Sequence, residues 1–392
     1  MIEKILSLVG KHEEWRGQRC INLIPSENVT SPQVRSLLSS DLTHRYTSPD
    51  RFYMGTRFVD EIEALGEEIA KDLFGAEIAD LSPLSGHVAD LIFTSSFMKQ
   101  GDTLMCLSAE DGGYPGLWEE GLPRILGFKV EAFPFSKKDM NIDTKKAVQS
   151  IVRIKPEVVI LGASLILFPH PVREVAEAAK QVGAHMGFDG SHVMGLIGGG
   201  TFQSPLQEGA SVLFGSTHKT LFGPQGGIIL ADEEHGEIIK DRIHPALVDN
   251  AHWNRIAALT LALAEMKEFG DAYAGQIIRN SQTLAKFLDD CGLPVLGSHL
   301  GYTKSHQVLL DYGGYKRGRE VAERLQKANI IADCGVRLGT CEVTRRGMKE
   351  EEMEKIGELI RQALLDEADL PKVKQKVEEL AKDFQEVKYC FQ

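Results

Sequence analysis

Short apolar runs of strand length alternate along this chain with longer segments of helical period, and that alternation admits few folds. Thr103 to Ser108, Lys129 to Phe133, Val158 to Ala163, Ala184 to Asp189, Val212 to Ser216 and Gly227 to Ala231 read as strands. Gly86 to Lys99, Lys145 to Arg153 and Val172 to Val182 read as helices between them. A strand returning parallel to its neighbour needs a crossover of helix length, so the pattern predicts an α/β fold with a mainly parallel sheet covered by helices. Ligands of such sheets collect at the carboxyl ends of the strands. Ser164, Asp189 and Ser216 fall there.

At 392 residues the chain exceeds what one core normally holds, so a second domain is expected. A helical region from His252 to Phe269 leads into Tyr273 to Cys291, where the crossing to a smaller C-terminal α/β domain is placed. Val308 to Asp311 and Val336 to Leu338 read as its strands, Arg317 to Ala328 and Glu350 to Leu365 as its helices. The expected division is an N-terminal helical arm (1–25), a large domain (26–250), a connecting helix (251–275), a small domain (276–366) and a helical tail (367–392).

Ile2, Ile5, Leu6 and Val9 recur on a helical period among Glu3, Glu13 and Glu14, which predicts a docking helix and not a secretory signal. The strongest apolar stretch, Val158 to Phe168, is broken by Gly162 and Ser164 and is too short to span a bilayer. A formal charge of −12 argues against nucleic acid as a partner, because phosphate-backbone binders cluster Lys and Arg. Six cysteines, at 20, 106, 291, 334, 341 and 390, form no Cys-x-x-Cys pair and no short metal spacing. Reduced thiols in a cytoplasmic protein without a bound metal are expected. Cys334, three residues before Arg337, is the one thiol placed to line a pocket.

The chemistry centres on one lysine. Ser216-Thr217-His218-Lys219-Thr220 sets Lys219 after small hydroxyl residues and before the turn-rich Gly223-Pro224-Gln225-Gly226-Gly227, as a Schiff-base lysine is usually held. Phe188-Asp189-Gly190-Ser191-His192 precedes it, and Ser85-Gly86-His87 lies further upstream, ahead of a helical stretch. Pyridoxal phosphate needs an amine for its aldehyde, a carboxylate for its pyridine nitrogen, and hydroxyl or backbone donors for its phosphate. Lys219, Asp189 and Ser85-Gly86 supply these, with Ser216 a second phosphate donor. His218 reads equally as packing or as acid-base.

These motifs, with Ile24-Pro25-Ser26-Glu27-Asn28, Cys334-Gly335-Val336-Arg337-Leu338-Gly339-Thr340 and Val343-Thr344-Arg345-Arg346-Gly347, make the chain resemble the serine hydroxymethyltransferases among fold-type I pyridoxal phosphate enzymes. The resemblance runs from about Asn22 to Gly347 and implies a seven-stranded-type sheet in the large domain. It further implies that His192 lies near the cofactor ring, that Arg337 holds the substrate carboxylate in a planar fork, and that Ser26 lies near the substrate. Tyr46 and Tyr53 match family tyrosines that reach the neighbouring subunit's site, implying a homodimer with shared active sites and leaving tetramers open. Glu27, Arg345 and Arg346 are expected to be structural.

Departures from the family pattern bear on the reaction. Ser48 stands where the family carries an essential glutamate, two residues after Tyr46. In Asp111-Gly112-Gly113-Tyr114 a tyrosine replaces the ring-stacking histidine, and Tyr114 can stack on the cofactor but is a weaker base. Asn329 to Cys334 runs almost directly into Gly335-Val336-Arg337, where the family inserts a loop that helps hold the pteridine. His244 to His252 replaces a glycine-rich segment that normally reaches the neighbour's phosphate site. The expected reaction is therefore folate-independent aldol cleavage of a β-hydroxy-α-amino acid to glycine and an aldehyde, with His192 or water taking the β-hydroxyl proton. Hydroxymethyl transfer to a folate or other pterin carrier is the alternative, followed by racemisation, transamination or transaldol transfer. A non-catalytic binding protein is disfavoured because Lys219, Asp189 and Arg337 all persist.

Overall fold

The structure is a computed structural model that describes residues 1–48, 52–365 and 369–392. The chain forms two compact units. The larger comprises Thr30–Ala274 with Cys390–Gln392, and the smaller comprises Met1–Val29 with Gly275–Tyr389.

The larger unit is built on a seven-stranded sheet. In chain order its strands are β1 (Ile78–Asp80), β2 (Thr103–Cys106), β3 (Lys129–Ala132), β4 (Val158–Leu161), β5 (His185–Asp189), β6 (Val212–Ser216) and β7 (Gly227–Ala231). Their spatial order is β1-β7-β6-β5-β4-β2-β3. Neighbours from β6 to β3 are parallel, and β7 runs antiparallel to both β6 and β1. Strands β4, β6 and β7 are buried along their whole length, as expected for a sheet covered on both faces. The register pairs Leu161 with Phe188 and Asp189 with Phe214, so the carboxyl ends of β4, β5 and β6 meet at one edge.

The helix Gly86–Phe97 is carried by this sheet through Phe93, whose ring stacks on Phe214 of β6 at 5.0 Å. Its start is fixed by Ser85, whose hydroxyl accepts the N–H of Val88 at 3.1 Å. Fold and sequence differ at one strand: Ile78–Asp80, whose three residues of mixed burial do not announce it. Trp253–Asp290 is one continuous helix that runs through the start of the Tyr273 to Cys291 segment where the crossing to the smaller domain was placed. Gly270 inside it marks close packing: a Cβ there would lie 2.7 Å from Met266 Sδ and 3.5 Å from Gly199 Cα.

In the smaller unit Ile21–Asn22 pairs in parallel with Ile330–Ile331, and Gln307–Leu309 pairs antiparallel with Arg337–Gly339. Ile21, Leu23, Leu284, Val308, Leu338 and Ile356 join its core. The helix Ile2–His12 buries none of its residues in this chain. Among the described residues no helix is long and apolar enough to cross a membrane, and no group of three or more side chains could hold a metal.

One buried histidine makes the larger unit acid-sensitive. His170 is 6 % exposed, its Nδ1 accepts the N–H of Gly162 at 3.2 Å, and burial lowers its pKa to about 4. The unfolded chain therefore binds a proton near pH 6.5 that the folded chain refuses until about pH 4, so stability is lost as pH falls through that window. The loss reaches about 3 kcal/mol at pH 4. Urea titrations between pH 7 and 4 should show His170→Gln losing less stability than the parent by about that amount, and equal slopes would refute the assignment.

Candidate active site

The strand ends of β4, β5 and β6, the start of the helix Gly86–Phe97 and the loop bearing Tyr114 close around a cavity of about 60 Å³. Gly86, Tyr114, Ser164, Asp189, His192, Ser216 and Lys219 all line it, joined by His87, Asp90 and Ser191. Ser85 and His218 were expected at the site and do not line the cavity. The Ser85 hydroxyl accepts the helix-capping N–H of Val88, and His218 is partly covered with its Nδ1 buried and without a hydrogen-bond partner. Burial first, and the Lys219 charge second, lower the His218 pKa to about 4, so its ring is neutral.

Lys219 sits between two anchored threonines. Thr217 donates its hydroxyl to Pro224 O at 2.7 Å. Thr220 donates to His192 O at 2.9 Å and accepts the N–H of Gly195 at 3.0 Å. Both threonines are fully buried. These bonds explain why small hydroxyl residues flank the lysine: Thr217 closes its loop on itself and Thr220 ties that loop to the turn that follows β5.

Asp189 ends β5 and is 7 % exposed. Its Oδ1 accepts the N–H of Ser191 at 2.9 Å, which fixes the carboxylate plane. Ser191 in turn accepts the N–H of Ser216 at 2.9 Å, with the two hydroxyls 3.3 Å apart. A Cβ on Gly86 would lie 2.3 Å from Ser216 Oγ and 3.1 Å from Ser191 Oγ. Only glycine leaves that space open, and two hydroxyls and the N-terminus of a twelve-residue helix face it. Such a cradle suits a phosphate group, and the amine of Lys219 and the acid of Asp189 share its cavity. The residues present fit pyridoxal phosphate.

Tyr114 places its hydroxyl 3.2 Å from His87 Nδ1. Burial, then the charges of Asp90 and Asp189, raise its pKa to about 12, so it is a protonated phenol at neutral pH. It can donate a hydrogen bond and cannot act as a base there. Ser48 is nearly buried and lines a separate, larger cavity of about 610 Å³ with Asp60, Glu67 and Asp249. Tyr46 donates its hydroxyl to Asp249 and packs edge-on against Tyr53 at 4.9 Å; both rings remain about 40 % exposed in this chain.

Arg337 and Ser26 belong to the smaller unit. The strand Arg337–Gly339 is tied to the Ser26 segment by the N–H of Gly339, which donates to Leu23 O at 2.7 Å. His306 supports the same segment through Pro25 O, 3.1 Å from its Nε2. Arg337 Nε donates to Asp333 Oδ2 at 2.8 Å, while Asp333 Oδ1 accepts the N–H groups of Gly335 and Arg337 at 2.9 and 3.1 Å. Asp333 therefore orients the guanidinium. Glu27 pairs with Arg16 at 2.6 Å and Arg346 with Glu342 at 3.2 Å. Arg345 is fully buried with a bond to Tyr389 O.

Sequence reasoning missed Asp90, Asp333 and the part played by Ser191. Asp90 left a signal, since it is the one charged residue in the stretch Val88 to Phe97 and stands among Val88, Ala89, Leu91, Ile92 and Phe93. Asp333 and Ser191 lay inside motifs whose neighbours drew the roles.

A mainly parallel sheet with a lysine, a carboxylate and an anion cradle at its strand ends defines a fold-type I pyridoxal phosphate enzyme. A crystal structure of L-threonine transaldolase from Pseudomonas fluorescens in the internal aldimine state superposes with a TM-score of 0.93 at 28% identity, covering 100% of this chain and 93% of that one. The family description "Serine hydroxymethyltransferase" matches residues 2–360. Curated proteins of that name are similar throughout: 43% identical in Methanopyrus kandleri, over 100% of this chain and 95% of that protein, and 44% in Methanocella arvoryzae, over 94% and 92%. The chain belongs to the serine hydroxymethyltransferase family and is a pyridoxal 5'-phosphate-dependent enzyme.

Proposed function

We propose that this enzyme cleaves β-hydroxy-α-amino acids to glycine and an aldehyde without a folate carrier. The Cα–Cβ bond breaks, the β-hydroxyl loses its proton as the aldehyde forms, and Cα gains one to become glycine. Bound pyridoxal phosphate supplies an electron-accepting ring for charge at Cα. The chain supplies the rest. Lys219 would hold the cofactor's aldehyde end and is the amine placed to carry a proton at Cα. Asp189 balances positive charge on the ring nitrogen, and Gly86, Ser191 and Ser216 receive the phosphate. Arg337 grips the α-carboxylate, with Ser26 beside the substrate. His192 accepts the β-hydroxyl proton, and Tyr114 stacks and donates a hydrogen bond. Tyr46 and Tyr53, exposed in one chain, complete the site of a second copy in a homodimer.

The observation that carries this reading is Ser48, a hydroxyl where the family's pterin-dependent chemistry requires a carboxylate. Similarity to a protein called L-threonine transaldolase supports chemistry on a β-hydroxy amino acid. The name shared by the relatives at 43% identity favours a second reading, hydroxymethyl transfer from serine to a pterin carrier. Incubating the loaded enzyme with threonine, phenylserine and serine separates the two. Pterin-independent aldehyde release from the first two is expected, whereas turnover of serine alone, and only with a pterin, would establish the alternative.

The Asp333 clamp yields a companion prediction. Asp333→Ala should raise KM for the amino acid roughly tenfold while kcat stays within about threefold, because a guanidinium that swings loses its two-point grip. Unchanged KM would remove Arg337 from the carboxylate site.

A further inference from the structure

Asp90 lies one turn into the helix Gly86–Phe97, 1 % exposed, on the face that lines the cavity with Asp189 and Lys219. Its Oδ1 is buried without a hydrogen-bond partner. Two carboxyl groups and one amine thus line one small cavity of about 60 Å³. A second carboxylate here would add like charge to Asp189 with no compensating donor on Oδ1, an arrangement that costs several kcal/mol for an ionised group.

We propose that Asp90 is a positioning residue held as a neutral carboxylic acid, donating its proton toward Asp189 so that the two acids carry one negative charge between them. The inference rests on the pyridoxal phosphate site and not on which amino acid is cleaved. Burial, and then the Asp189 charge, raise the pKa of Asp90 well above the usual carboxyl range, with Lys219 opposing. The other groups beside it are Cys106 of β2 and Tyr114, both pushed up mainly by burial. His87 and His192 complete the titratable lining. A shared proton fixes the orientation of the Asp189 carboxylate. One charge, rather than two, then sets the acidity of the cofactor's protonated groups.

The test compares Asp90→Asn, which is neutral and keeps a donor, with Asp90→Ala, which is neutral and has none. In the cofactor-loaded protein the pH midpoint of the cofactor absorbance band should stay within about 0.3 unit in Asp90→Asn and move by about half a unit or more in Asp90→Ala. Were Asp90 ionised, Asp90→Asn would remove a negative charge and lower that midpoint by about one unit or more, which would overturn the proposal. An unaltered midpoint in both variants would make Asp90 merely structural and overturn it equally. The protein without cofactor gives an independent readout: its infrared spectrum should contain a protonated-carboxyl C=O band at neutral pH that Asp90→Asn abolishes. Absence of that band refutes a neutral Asp90 whether or not either variant folds well. Neither measurement depends on aldehyde release, so failure of the cleavage reaction leaves the outcome legible.

Discussion

Lys219→Ala is expected to lower turnover by at least about 10³-fold, the scale set by losing both a covalent tether and a positioned proton carrier. The loss should be chemical and not structural. The loop is anchored by Thr217 and Thr220, whose bonds to Pro224 O, His192 O and Gly195 N do not involve the lysine side chain. Thermal unfolding of the cofactor-free protein should therefore shift by only a few degrees. Borohydride treatment of the loaded parent should leave cofactor covalently attached at Lys219 and nowhere else, and the variant should carry none. A label on another residue, or a variant retaining a tenth of the activity, would end the assignment. The substitution also removes the cation that opposes the rise in the Asp90 pKa, so the protonated-carboxyl band should persist in it to higher pH.

The parts of this molecule that the sequence declared are those where chemistry or burial allows few residue types. Strands β4, β6 and β7 are covered on both faces, so their apolar runs are unbroken and their limits fell within a residue or two of those read from composition. Ile78–Asp80 pairs with one neighbour only and buries one residue of three, so it carries no comparable signal. Gly270 does not interrupt the helix Trp253–Asp290, and its missing side chain admits the backbone at Gly199. The site followed the same rule. An amine, an acid after a strand and a glycine before a helix are demanded by the cofactor in fixed chain order, and Lys219, Asp189 and Gly86 gather in one cavity. Asp90 depends on which face of a helix meets β5 and β6, information that exists only once Phe93 is stacked on Phe214. Ser85, read from the sequence as a phosphate donor, also accepts the N–H of Val88 and so sets where the helix begins.

Asp189→Asn should reduce turnover by roughly 10²–10⁴-fold while weakening cofactor binding far less, because the two effects reside in different groups. The phosphate cradle of Gly86, Ser191 and Ser216 is untouched, and an amide oxygen can still accept the Ser191 N–H that now bonds Oδ1 at 2.9 Å. What disappears is the negative charge that keeps the ring nitrogen protonated, and with it the charge-assisted bond worth about 1.5–3 kcal/mol. The ring would then accept electrons from Cα poorly. The same change withdraws one of the two influences that raise Asp90, leaving burial alone against Lys219. The acid at position 90 should nevertheless remain protonated, since burial is the larger cause. Asp189→Glu provides the contrast: it restores charge but adds a methylene in a cavity of about 60 Å³, so it should recover less than a tenth of the lost rate. Turnover, cofactor dissociation followed by absorbance, and the infrared carboxyl band measured on both variants decide the matter. If Asp189→Asn works at near-parental rate, the carboxylate is only a cap for the Gly190-Ser191 turn.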